Sequence, residues 1–157
     1  MERKVQIRAA SINDADGIAA VLRGLVAAGK RRKRSDPEFA RLHYIAHPAQ
    51  IRCSVAMDGD CGIVGFQSLK LATSSNPYGT PPGWGIVGTH ILPEMARRGV
   101  GRLLFPSTLD AARSAGIPAI EAFIGATNDP AIAYYEAMGF VTYRRVEGVD
   151  CKRLAVS

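Results

Sequence analysis

The chain has few cysteines, a single tryptophan and no long apolar stretch, and these shortages exclude several classes of protein. Its three cysteines form no CxxC pair, and an odd number argues against a disulfide framework. Together with three scattered histidines they show no zinc-ligand spacing, so we expect no metal. No run approaches the roughly 18 apolar residues of a membrane span, and no signal-peptide core follows the charged segment from Met1 to Lys4. We therefore expect a cytoplasmic protein.

The composition is that of a globular domain. Of the 157 residues, 47% are hydrophobic and 22% are charged, and a chain of this length forms one core, so residues 1–157 are expected to be a single domain. The net charge of +6 comes mainly from one basic tract, Lys30 to Arg34, because the other fifteen basic residues nearly balance fourteen acidic ones. The tract has no interleaved aromatics, which favours a solvated loop over a phosphate or nucleic-acid site. Nucleic acid is not an expected partner.

Hydrophobic periodicity and turn residues predict alternating strands and helices. Strands are predicted over residues 5–9, 51–57, 63–71, 84–92, 117–124, 140–145 and 151–155, and helices over residues 11–29, 37–44, 99–115 and 129–139. Asp58, Gly59 and Asp60 predict a hairpin turn, and Asp129 is the predicted cap of the last helix. The proline-rich stretch from Thr73 to Gly83 predicts an exposed loop. This order implies a mixed sheet flanked by helices.

One glycine turn is a candidate anion site. It lies between a strand that ends at Leu92 and an apolar helix, and it consists of Arg97, Arg98, Gly99, Val100, Gly101 and Arg102. Glycines let the backbone approach a ligand closely, the helix start presents free N–H groups, and arginines add charge-assisted hydrogen bonds, so a pyrophosphate would fit. Taken alone, a turn that merely joins strand to helix explains the glycines equally well.

A second segment gives the turn its context. About thirty residues later Asn128, Ala131, Tyr135, Gly139 and Phe140 form the pattern N-x-x-A-x-x-x-Y-x-x-x-G-F. The two segments together resemble the GNAT family of acetyl-CoA-dependent N-acetyltransferases, and the resemblance spans nearly the whole chain except residues 30–50 and 72–83. It implies an α/β GNAT fold, with a mixed, mostly antiparallel sheet of six to seven strands flanked by about four helices. It also implies a V-shaped splay between the strand ending at Leu92 and the strand 117–124.

The resemblance implies how acetyl-CoA, the co-substrate, would be held. Ile91 and Leu92 would offer backbone groups to the pantetheine arm, and Asn128 would touch that arm or its neighbourhood. The pyrophosphate would be held by the turn residues Arg98, Gly99, Val100, Gly101 and Arg102. Two positions depart from the family pattern. Ala96 stands where Gln or Arg is usual, with Arg97 one position later, and Pro106 lies inside the following helix.

The resemblance makes Tyr135 the general acid that protonates the departing thiolate. A phenol is a donor at neutral pH, which suits that task, although packing in the core beside Tyr134 is the alternative. For the general base, His90 is the titratable residue on the strand before Pro93, and an unperturbed pKa near ~6.5 suits proton removal. Glu121 is the second candidate, and a structural role is the alternative for both. No cysteine matches a nucleophile position, so we expect direct attack.

The resulting expectation is an N-acetyltransferase that acts on a primary amine of a small molecule or peptide. The loop from Thr73 to Trp84 and the region from Arg34 to His47 are expected to line the acceptor side, and the resemblance makes a homodimer plausible. The alternative is a non-catalytic module that senses coenzyme A or a nucleotide and uses the basic tract to bind a partner.

Overall fold

The computed structural model describes residues 4–59 and 61–156. Met1, Glu2 and Arg3 of the charged N-terminal segment and Asp60 of the expected hairpin turn lie outside the described residues. The strands are β1 (Val5–Ala9), β2 (Gln50–Asp58), β3 (Gly62–Leu71), β4 (Gly85–Ile91), β5 (Ala119–Gly125), β6 (Val141–Val146) and β7 (Val149–Ala155). The helices are α1 (Ala15–Ala27), α2 (Pro37–Ala40), α3 (Val100–Ser114) and α4 (Asp129–Ala137).

The strands form one seven-stranded sheet in the order β1-β2-β3-β4-β5-β7-β6. Every neighbouring pair is antiparallel except β4 and β5, which run parallel. The expected α/β fold with a mixed, mostly antiparallel sheet is therefore confirmed.

Helices cover both faces of the sheet. On β3, Phe66 packs in an apolar cluster with residues of α1, whereas the next residue, Gln67, bonds to Thr108 of α3. Successive strand residues point to opposite faces, so α1 and α3 lie on opposite sides. We call these the α1 face and the α3 face; Tyr134 of α4 also bonds Gln67 and so lies on the α3 face.

The parallel pairing between β4 and β5 is short. It joins Gly85 to Ile120, Ile86 to Glu121 and Val87 to Ala122, and no further pair is formed among the described residues. From Gly88 onward β4 therefore keeps its partner β3 on one side only. This gap between β4 and β5 is the expected splay.

Two helix boundaries differ from the sequence-based expectation. Asn128, not Asp129, caps α4, because its side-chain oxygen accepts a hydrogen bond from the Ala131 amide at 3.3 Å. A cap residue bonds the amide two or three positions ahead, and Asn128 has that spacing. The helix predicted over residues 37–44 is α-helical only over α2 and then widens into a π-helical turn, Arg41–Ile45. No described helix combines the length and apolarity that a membrane crossing requires.

An ion pair at the start of the chain fixes β1 to α1. The Asp14 carboxylate accepts hydrogen bonds from the Arg8 guanidinium at 2.7 and 2.8 Å and from the Ser11 amide at 2.7 Å. These bonds, the Arg8 bond first, lower the pKa of Asp14 below its ordinary value, although burial opposes them. The carboxylate therefore stabilises the fold in its ionised form.

We expect Asp14→Ala to lower the free energy of unfolding by about 1 kcal/mol at pH 7, the usual cost of losing such a cap. Because the folded-state pKa is depressed, the contribution is complete above the unfolded value of about 3.9 and shrinks as pH falls through the folded value. Urea unfolding of both proteins at pH 7 and pH 3 measures this. The exposed Asp16→Ala is the control, and a wild-type advantage that is larger at pH 3 would contradict the assignment.

Candidate active site

The turn before α3 presents a run of unbonded backbone amides. The amides of residues 97–102 have no hydrogen-bond partner among the described residues; the next one, that of Leu103, bonds the Gly99 carbonyl at 3.1 Å. Arg97 and Gly99 both adopt left-handed backbone, with φ of 62° and 79°. Left-handed residues alternating with right-handed ones turn successive N–H groups inward and form a concave anion site. Positive φ in a non-glycine residue such as Arg97 is strained, and such strain is typical of functional sites.

Gly99 and Gly101 are each required in this turn for a different structural reason. A Cβ on Gly99 would have open space, so glycine is favoured there by its φ alone. A Cβ on Gly101 would lie 2.5 Å from Cε1 of Tyr134, and the Tyr134 hydroxyl donates to the Gly101 carbonyl at 2.8 Å. The second glycine therefore lets α4 pack directly against the first turn of α3.

A hydrogen-bonded network on the α3 face reaches the expected general acid. The Tyr135 hydroxyl lies 2.8 Å from Oγ1 of Thr89, which accepts a hydrogen bond from the Gln67 amide at 2.9 Å. The same Gln67 amide donates to the Tyr134 hydroxyl at 3.0 Å, and the Gln67 carbonyl accepts from Thr108. Four side chains from β3, β4, α3 and α4 thus form one network with the Tyr135 phenol.

Tyr135 is a buried phenol of α4 that contacts the unpaired stretch of β4. Its side chain packs at 5.2 Å from the ring of Phe140 and is 5% exposed. Burial raises its pKa above the ordinary tyrosine value, although the bond to Thr89 opposes this. Tyr135 therefore remains a proton donor throughout the neutral range.

The backbone of Ile91 faces the gap between β4 and β5. The Leu92 amide donates to the Val64 carbonyl at 2.9 Å and the Leu92 carbonyl accepts from Met95 at 2.9 Å, so both Leu92 groups are engaged within the chain. In an antiparallel pair, backbone groups point alternately toward the partner and away from it. Ile91, one position earlier, therefore directs its backbone groups away from β3.

His90 lies on the other face of β4 from Thr89. Its ring stacks on Phe66 at 4.8 Å and meets the edge of Tyr44 at 5.4 Å. Burial first, and then the positive charges of Arg31 and Lys33, lower the pKa of His90 to about 3. The imidazole is therefore neutral at physiological pH and a much weaker proton acceptor than an unperturbed histidine.

Glu121 is a structural carboxylate. It is fully buried and accepts hydrogen bonds from Arg144, at 2.9 and 3.1 Å, and from the hydroxyls of Thr80 and Tyr143. Arg144 also donates to the Tyr78 carbonyl at 2.8 Å. Glu121 thus anchors the loop of residues 72–84 on the α1 face of β5, and its oxygens are already occupied.

The remaining predicted residues lie at the protein surface. Arg97, Arg98 and Arg102 are exposed around the free amides and make no hydrogen bond or ion pair with described residues. Asn128 is exposed where it caps α4. Within residues 4–59 and 61–156, no three His, Cys, Asp or Glu side chains are grouped as a metal site would require.

The family comparison decides the assignment of this arrangement. The model of the family described as "Acetyltransferase (GNAT) family" matches residues 20–140. The chain belongs to the GNAT family. No curated protein gives a significant match. The glycine turn, the gap between β4 and β5 and the buried Tyr135 therefore lie within a GNAT domain.

Solved structures share the fold at low sequence identity. A GCN5-related N-acetyltransferase from Kribbella flavida has a TM-score of 0.78 and 22% identity, with 96% of this chain and 97% of that chain covered. YncA from Salmonella typhimurium, solved with its cofactor acetyl-CoA, has a TM-score of 0.74 and 18% identity, with 98% and 94% covered. PaiA N-acetyltransferase from Thermoplasma acidophilum, in complex with coenzyme A, has a TM-score of 0.73 and 16% identity, with 97% and 99% covered.

Sequence analysis assigned no site role to three residues of this arrangement. Gln67, Thr89 and Tyr134 meet only because β3 and β4 pair in one register, with Gln67 opposite Thr89, and because α4 packs on α3. Polar residues in an apolar strand were the available hint, since buried polar groups need partners.

We expect Gly101→Ala to destabilise the fold by about 1–3 kcal/mol, because the new methyl collides with Tyr134. Gly99→Ala should cost about 1 kcal/mol through backbone strain alone. Urea denaturation separates the two, and Gly125→Ala, which has open space and no positive φ, is the control. Equal losses for the two turn glycines would contradict the packing role of Gly101.

Proposed function

We propose that the protein transfers the acetyl group of acetyl-CoA to a primary amine of a small molecule or peptide by direct attack. The observation that carries the proposal is the row of six unbonded amides at residues 97–102, with three exposed arginines, next to the gap between β4 and β5. Phosphate oxygens would satisfy those amides, and the dipole of α3 favours negative charge at the same place.

The remaining cofactor contacts follow from the strand geometry. Ile91 offers backbone groups to the pantetheine arm within the gap, with Leu92 beside it, and Asn128 lies across the gap at the start of α4. In this proposal Arg97 supplies the polar phosphate-binding side chain that the family usually has at position 96, where this chain has alanine. Acetyl-CoA supplies the activated acetyl group when it is bound.

Tyr135 is the proposed general acid. Its raised pKa keeps the phenol protonated, and the contact with Thr89 fixes the position of its oxygen. A thiolate with a pKa of about 8.5, by analogy with cysteine, is a weaker base than this phenolate, so the phenol gives up its proton only while it is held in place and as the C–S bond breaks. The phenol then regains its proton from solvent.

His90 is the proposed hydrogen-bond acceptor for the attacking amine. It is neutral, so it can orient an N–H group of the amine. Its low pKa means that the proton released by the amine passes to solvent and does not stay on the imidazole. The positive groups around it, Arg31, Lys33 and Lys70, also disfavour an ammonium ion at the same place.

We expect Tyr135→Phe to lower kcat about a hundredfold, the typical contribution of a positioned acid, while acetyl-CoA affinity measured by calorimetry stays within about twofold. Tyr134→Phe is the matched comparison: it removes the bond to the Gly101 carbonyl and should act on cofactor affinity more than on kcat. Unchanged turnover in Tyr135→Phe would remove this residue as the acid.

In the pH profile of kcat/KM, the loss of rate at low pH should follow the pKa of the acceptor amine and not that of His90. A group with a pKa of about 3 does not titrate between pH 5 and 9, so loss of rate in acid reports protonation of the amine itself. Two amines whose pKa values differ by about two units should give limbs displaced by about two units. A limb fixed near pH 6.5 for both amines would show instead an enzyme base of ordinary pKa.

A further inference from the structure

The basic tract of residues 30–34 does not extend freely into solvent. The Arg31 guanidinium donates to the Arg34 carbonyl at 2.8 Å and to the Ser35 hydroxyl at 3.2 Å, and it lies 5.7 Å from the ring centroid of Phe39. These contacts fold the tract back over α2. Phe39 in turn stacks on His43 at 4.8 Å.

A second cation reaches the same place from the sheet. Nζ of Lys70, on β3, lies 5.3 Å from the ring centroid of Tyr44, and the Tyr44 ring contacts His90 at 5.4 Å. Burial lowers the pKa of Lys70 to about 8, with Lys33 adding to the effect and Cys53 opposing it. Tyr44 therefore stands between a lysine and the imidazole.

The members of the tract differ in how their charge is balanced. Arg34 forms two hydrogen bonds of 2.8 Å with the Asp36 carboxylate, so its charge is neutralised. Arg32 is exposed and forms no hydrogen bond or ion pair with described residues. Arg31 and Lys33 have no carboxylate partner among the described residues and lie close enough to His90 to lower its pKa.

Arg31 and Lys70 are partly buried cations, and neither forms an ion pair with a carboxylate of the described residues. Together with Lys33 they are among the groups whose positive charge lowers the pKa of His90, after burial. Nδ1 of His90 is buried and has no hydrogen-bond partner among the described residues. Partly buried positive charge without a counter-charge is unfavourable, and a bound anion would offset that cost.

We propose that Arg31, Lys33 and Lys70 form a subsite for an anionic group of the acceptor, so that the acceptor is an amine that also carries a carboxylate. This inference rests on the proposed function, because it assigns the acceptor side of the same site. The carboxylate pairs with Arg31 and Lys33, and the amine meets His90.

The same charges give the subsite a chemical advantage. A positive field stabilises the neutral amine relative to the ammonium ion, and only the neutral amine attacks a thioester. A carboxylate on the acceptor compensates for the field in binding, whereas a polyamine adds further positive charge and is repelled. The subsite therefore selects both the charge and the protonation state of its ligand.

The test measures acetyl-CoA-dependent thiol release with a panel of acceptors. Each amino acid in the panel is compared with its own carboxamide, and both are compared with spermidine. We expect the carboxylate acceptors to be preferred in kcat/KM. Arg31→Gln should lower kcat/KM for a carboxylate acceptor about tenfold through KM, with little change for its carboxamide. Lys33→Gln, which removes no hydrogen bond or ion pair of the described structure, should lower kcat/KM for the carboxylate acceptor about threefold.

Controls separate charge from structure. Arg31→Lys should restore most of the preference, and Arg32→Gln, which removes one charge from the same tract, should leave it unchanged. Equal losses for the acid and the carboxamide, or a wild-type preference for spermidine, would overturn the subsite.

Binding is measured separately so that the two proposals can fail independently. The protein saturated with coenzyme A is titrated calorimetrically with the same acid and carboxamide pairs. A carboxylate that binds no better than its carboxamide overturns the subsite even if acetyl transfer occurs. A carboxylate preference that is lost in Arg31→Gln supports the subsite even without thiol release, and absence of thiol release with every amine overturns the transferase proposal alone.

Discussion

The structure depends on where the pairing of β4 and β5 stops. Three residue pairs hold the strands together, from Gly85 to Val87, and the next residues of β4 bond only to β3. A parallel sheet that continued would consume the backbone groups of Ile91 and would place side chains where Tyr135 now reaches Thr89. The gap therefore creates both the backbone surface that a ligand can use and the space in which the phenol lies.

The two faces of β4 perform different tasks beside this gap. Thr89 directs Tyr135 on the α3 face, and His90 meets cations on the α1 face. Because adjacent strand residues point oppositely, Thr89 and His90 place the proposed proton donor Tyr135 and the proposed acceptor side on opposite faces of β4. In the proposed reaction the amine reaches the cofactor at the gap from the α1 face.

Much of the fold followed from local patterns, whereas the surroundings of the site did not. The glycine turn and the order of strands and helices along the chain were predicted because turn residues and periodicity are local signals. The splay was implied by the family resemblance that the two motifs carry. The burial of His90 depends on Phe66 and Tyr44, which lie far away in the sequence, so its lowered pKa had no local signal. The position of Arg31 depends on the backbone carbonyl of Arg34, which no residue pattern reports. The predicted roles of the individual site residues stay predictions.

The anchoring of residues 72–84 has an evolutionary consequence. Thr80 and the Tyr78 carbonyl are fastened to Glu121 and Arg144, while Ser74 and Ser75 are exposed and remain outside that anchor. Point changes at the two serines would alter the exposed loop without disturbing the buried carboxylate. Related sequences can therefore vary at this loop while the proposed catalytic residues stay in place.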